Sequence, residues 1–91
     1  MGAKAEISWA SRDADGQKID VCARRVGGEW RFTWQHRRFD QWQPMDAPPI
    51  VEWLLLLDSV RRRIQRRLLR PEEEVSVKKM ILDRFPGTEL D

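Results

Sequence analysis

The chain has 91 residues and a mass of 10.8 kDa, with 41% apolar and 35% charged side chains and a mean hydropathy of -0.67. That length supports one small core and excludes a repeat array or a catalytic cleft between large domains. Seventeen Lys and Arg against fifteen Asp and Glu leave a net charge of +2, too close to balance for the pI of 9.1 to argue for nucleic acid. A single cysteine, Cys22, excludes an internal disulfide framework. No apolar run approaches a spanning helix, and the N-terminal residues show no signal-peptide pattern, so the chain reads as cytoplasmic.

Ala5–Arg12 reads as a strand in which Ile7 and Trp9 alternate with polar or small residues. Asp13-Ala14-Asp15-Gly16 fits a type I turn followed by a left-handed glycine, the three-residue hairpin with a bulge. Gln17–Val26 is the second strand, Gly27-Gly28 a two-residue hairpin turn, and Glu29–Arg37 the third strand. The two turns fix the register. They place Trp9–Val21–Trp34, Ile7–Ala23–Phe32 and Ser11–Ile19–His36 in rows on one face. The opposite face then carries Glu6–Arg24–Arg31, Ser8–Cys22–Thr33 and Ala10–Asp20–Gln35, with no aromatic side chain.

Residues 38–46 read as a connection whose Phe39 and Trp42 tuck over the core edge, with Asp46 as the N-cap of a helix over 47–69. Ile50, Trp53, Leu54, Leu57, Val60, Ile64 and Leu68 form its apolar stripe. Pro71 ends that helix and opens a second over 71–85, with Glu72, Glu73 and Glu74 in its first turn and Val77, Ile81 and Phe85 inward. The predicted architecture is α+β: a three-stranded antiparallel meander followed by two helices packed on one sheet face. It forms a single domain over 1–91, with frayed ends at 1–4 and 86–91.

The functional reading begins with chemistry that the residues do not supply. His36 and Cys22 fall on opposite faces of the sheet, so they cannot form a nucleophile–base pair. One His and one Cys do not make a metal site, and no glycine-rich phosphate loop is present. The chain is therefore expected to be non-enzymatic, without cofactor or metal and without a membrane partner.

Three surfaces remain. Arg62, Arg63, Arg66 and Arg70 fall at helical spacing opposite the apolar stripe and could follow a phosphate backbone. The simpler reading is a solvated face, with Asp58 pairing to Arg62. Arg24 and Arg31 sit side by side on the open sheet face, either as a wet surface or as a docking site for a protein or an anionic ligand. Val51 and Leu55 fall outside the apolar stripe. If the second helix folds back fully antiparallel, Leu55 is covered and the protein is a monomer. If that helix splays, Val51, Leu55 and Met80 form a patch that a two-fold axis can close. The favoured function is an interaction module that presents a surface to a protein partner, itself included. The alternative is a nucleic-acid binder using the arginine face. The residues carry no resemblance to a known family.

Overall fold

The structure is a computed structural model that describes residues 6–36 and 40–90. Its elements are strands β1 (Glu6–Arg12), β2 (Lys18–Val26), β3 (Glu29–Gln35) and β4 (Gln43–Met45), then helices α1 (Ile50–Gln65) and α2 (Glu72–Arg84). The architecture is α+β, and the chain divides into two compact units, Met1–Pro48 and Pro49–Asp91.

In the first unit an antiparallel sheet runs in the order β1-β2-β3-β4. The predicted register holds in every row but the last, where Ser11 faces Ile19 but His36 lies outside the ladder: Trp9 faces Val21 and Val21 faces Trp34, while Ile7 faces Ala23 and Ala23 faces Phe32. Turn chemistry explains this. Asp13 Oδ1 accepts from the N–H groups of Asp15 and Gln17 at 3.0 and 2.9 Å, and Gly16 takes φ +83° to absorb the bulge. Gly27 and Gly28 both have positive φ, +58° and +83°, which the two-residue turn requires. Ile7, Ile19, Val21, Ala23, Trp30 and Phe32 are buried on the apolar face. Trp9 and Trp34, expected in the core, are only half-buried. His36 lies beyond the end of β3, exposed rather than inward, and its Nε2 meets Asp13 Oδ2 at 2.9 Å.

The connection holds a correction. Gln43–Met45 is a fourth strand, with Thr33 opposite Pro44 and Trp34 opposite Gln43. Proline survives there because the strand is short and lies at a sheet edge. Phe39 lies outside the described residues. Trp42 is 44% exposed and does not cover the core edge. Two residues before Pro44, it shares Pro44's side of the sheet, which is the open face.

In the second unit α1 starts and stops inside the expected 47–69. Pro49, not Asp46, is the N-cap. At the other end Leu68 N–H donates to Arg63 O at 2.8 Å and Arg67 N–H to Ile64 O at 2.9 Å. This is a Schellman closure, with Arg67 at φ +62° in the position that glycine usually fills. The buried residues of α1 are Glu52, Trp53, Leu56, Leu57 and Val60. Leu54 and Leu68, assigned to the stripe, are exposed, and Leu56 takes the inward place. The buried sector is thus turned by less than one 100° residue step from the expected one.

α2 lies within one residue of its expected bounds, with Val77 and Ile81 buried and Phe85 at the C-cap. It folds back antiparallel on α1. Arg84 stacks over the Trp53 ring at 4.9 Å near the start of α1, and Arg61 Nε donates to Glu74 Oε2 at 2.9 Å nearer its end. The chain past α2, expected to fray, makes a turn in which Thr88 N–H and Oγ1–H both donate to Phe85 O.

Candidate functional site

The open face of the sheet carries a groove of about 570 Å³ lined by Glu6, Ser8, Cys22, Arg24, Val26, Arg31, Thr33 and Trp42. The three long strands contribute through the period of two. Glu6 and Ser8 come from β1, Cys22, Arg24 and Val26 from β2, and Arg31 and Thr33 from β3. Glu6 Oε2 accepts from Arg24 Nη2 at 2.7 Å and from Nε at 3.2 Å, so one carboxylate oxygen pins that guanidinium. The hydrogen bond and charge of Glu6 stabilise the cationic form of Arg24 and raise its pKa. Arg31 stands directly opposite Arg24, and its nearest carboxylate, Glu29, is 3.9 Å away across exposed surface. Such a pair holds little energy, so the Arg31 guanidinium is available to a ligand.

Cys22 forms part of the floor. Burial and then the Glu6 carboxylate push its thiol pKa up, which keeps it protonated and a poor nucleophile. At one end of this face Gln35 is buried, with Nε2 3.5 Å from Asp20 Oδ2, where a wet surface was expected.

Sequence reasoning brought Arg24 and Arg31 together correctly but missed Trp42, the aromatic wall. The available signal was Gln43-Pro44-Met45, a short edge strand whose pairing with β3 sets the side on which Trp42 falls.

The arginine series is only partly a helix face. Arg62 and Arg63 are in the last turn of α1, Arg66 is its C-cap, and Arg70 lies in the link to α2. Arg62 Nη2 pairs with Asp58 at 2.6 Å, as the solvated-face reading expects, and Arg61 pairs with Glu74. Glu74 also receives Lys78 at 3.2 Å; Arg61 and then Lys78 hold its carboxyl below the usual range. Arg63, Arg66, Arg67 and Arg70 have no carboxylate partner among the described residues.

Val51 is 52% exposed and Leu55 half-buried. The fold-back of α2 therefore leaves Val51 uncovered, because it lies on the far side of α1 from the buried sector. Leu55 is not closed off as expected of a folded-back hairpin.

His36 and Asp13 form an exposed pair, and the imidazole hydrogen bond followed by the Gln17 N–H holds the Asp13 carboxyl below its ordinary value. Cys22 is on the other face of the sheet. Among the described residues no three His, Cys, Asp or Glu side chains gather as a metal site, and no helix is long and apolar enough to cross a membrane. Comparison with known proteins returns no matching family model, curated protein or solved structure.

Proposed function

We propose that this chain is a non-enzymatic interaction module whose open sheet face binds a protein partner. The observation that carries the reading is the groove's composition. An exposed Trp42 and the apolar Val26 adjoin Arg31, whose charge is weakly compensated, and the Glu6–Arg24 pair fixes the remaining charge in place. Aromatic and arginine side chains at a concave surface are the residue types that dominate protein–protein binding energy. Ser8, Cys22 and Thr33 are small, so backbone or side chains of a partner can approach the sheet.

The test is recovery of a binding protein from cell extract, its purification, and titration against wild type and a Trp42→Ala/Arg31→Glu variant with an unchanged melting temperature. The expected result is a loss of at least about tenfold in affinity, roughly 1.4 kcal/mol. A partner that binds wild type and variant equally overturns the groove as its site.

A second reading rests on Arg63, Arg66, Arg67 and Arg70, which have no carboxylate partner among the described residues and lie around the end of α1. Here the ligand is a nucleic acid held by phosphate contacts. Affinity then falls with salt at a log–log slope of roughly -0.9 per phosphate on duplex DNA. The charge reversal Arg63→Glu with Arg66→Glu abolishes binding without lowering the melting temperature. Binding that survives the reversal removes this reading.

A further inference from the structure

The two rims of the sheet differ. One is β4, three residues with Pro44 in the middle. The other is β1, seven residues with neither proline nor glycine. Among the described residues no strand pairs with the outer side of β1. Its hydrogen-bonding phase follows from the hairpin. Asp13 N–H donates to Gln17 O at 2.9 Å, so Asp13 and Gln17 are a hydrogen-bonded pair. Antiparallel ladders alternate, which turns the backbone groups of Ser11, Trp9 and Ile7 toward β2 and those of Arg12, Ala10, Ser8 and Glu6 outward. All four outward residues are exposed. A rim of this length templates a further strand.

We propose that β1 pairs antiparallel with β1 of a second copy of this chain, about a two-fold axis at Trp9. In that register Glu6 stands opposite the partner's Arg12, and Ser8 opposite the partner's Ala10. Both are pairs of outward-facing residues, so both can exchange two backbone hydrogen bonds. Trp9 meets the partner's Trp9 in the closer, non-hydrogen-bonded pair at the centre.

Two features select this arrangement. The first is charge: β1 carries Glu6 and Arg12, one at each end, and the two-fold axis brings them opposite each other twice. A slip of two residues either way sets Glu6 against Ala10 or Ala14 and loses both ion pairs. The second is facing: pairing positions of equal parity keeps Ile7, Trp9 and Ser11 on the apolar side of both copies. Glu6 then lies between its own Arg24, at 2.7 Å, and the partner's Arg12. Arg12 spends one N–H on Gly16 O at 2.8 Å and has four more to offer. This dimer uses neither Val51 nor Leu55, and it rests on the sheet rim rather than on the groove reading.

Sedimentation of the full chain from micromolar to millimolar concentration tests it. The expected result is a mass rising from 10.8 kDa toward twice that value. The variant Ala10→Pro should hold the chain at 10.8 kDa with its circular dichroism unchanged, since proline there deletes only an outward N–H of an edge strand. A wild type that stays at 10.8 kDa throughout overturns the proposal, as does a dimer that survives a folded Ala10→Pro. Should that variant not fold, hydrogen exchange on the wild type decides. The Ser8 and Ala10 amides should exchange about tenfold more slowly at the concentrated end. Rates independent of concentration overturn it.

Discussion

The sheet unit and the helical unit answer the same question differently: which side chains face inward. In the sheet, Ile7, Val21, Ala23 and Phe32 fall where turn chemistry and alternation place them. In α1 the inward sector is displaced, so Leu56 is fully buried and Leu54 is 40% exposed. A period of two admits two answers, and the wrong one turns every apolar residue outward. A period of 3.6 admits a continuum of rotations. The run Trp53-Leu54-Leu55-Leu56-Leu57 supplies an apolar residue at each of five successive positions, so no rotation is penalised. Hydrophobic pattern specifies a face only where polar residues interrupt it.

A pair of truncations within that run separates the two rotations of α1. Leu56→Ala should cost about 2–5 kcal/mol in urea or thermal unfolding, the range for emptying a buried leucine site. Leu54→Ala should cost under about 1 kcal/mol, because its side chain is already partly in water. Equal losses would mean that α1 is rotated toward the sequence-based stripe.

A smaller effect of opposite sign is expected at the end of α1. Arg67 holds φ +62°, where an L side chain costs roughly 1–2 kcal/mol and glycine does not. Arg67→Gly should raise stability by about 1 kcal/mol, and an unchanged or lower melting temperature would show that the helix ends differently.

The smallest effect belongs to the sheet's first turn and is read as a pH dependence. The Asp13 carboxyl titrates below its ordinary value of 3.8 when folded, because His36 and the Gln17 N–H favour its charged form. A depressed folded pKa contributes stability that is complete above the unfolded value and disappears as pH falls through the folded one. Stability should therefore decline below about pH 4. Asp13→Asn should flatten that decline, and an unaltered acid limb would mean that the His36–Asp13 contact does not form.

Much of the fold was legible because its punctuation is local. Asp13, Gly16, Gly27 and Gly28 name their turns, and Pro71 separates the helices. What was not legible depends on long-range packing or on pairing too short to leave a pattern. Glu52 is buried in α1 although no sequence pattern assigns a carboxylate to a core. β4 spans three residues and contains a proline, so alternation cannot identify it. Half of the groove could be read early: Arg24 opposite Arg31 follows from the register. Trp42 could not, since its side of the sheet is set by β4. The α1 arginines show a third case, in which correct spacing was projected past the point where Arg67 ends the helix.

Pro44 has a consequence for how far assembly can go. Thr33 faces β2 with its backbone groups, by the same alternation that sets β1, so its neighbour Pro44 turns its nitrogen away from β3 and toward the outer rim. That nitrogen carries no hydrogen, and the rim it occupies is three residues long. Two copies joined through β1 would thus present a proline-blocked rim at each end of their common sheet. Growth into an open cross-β fibre has no template at either end, and association stops at a closed pair.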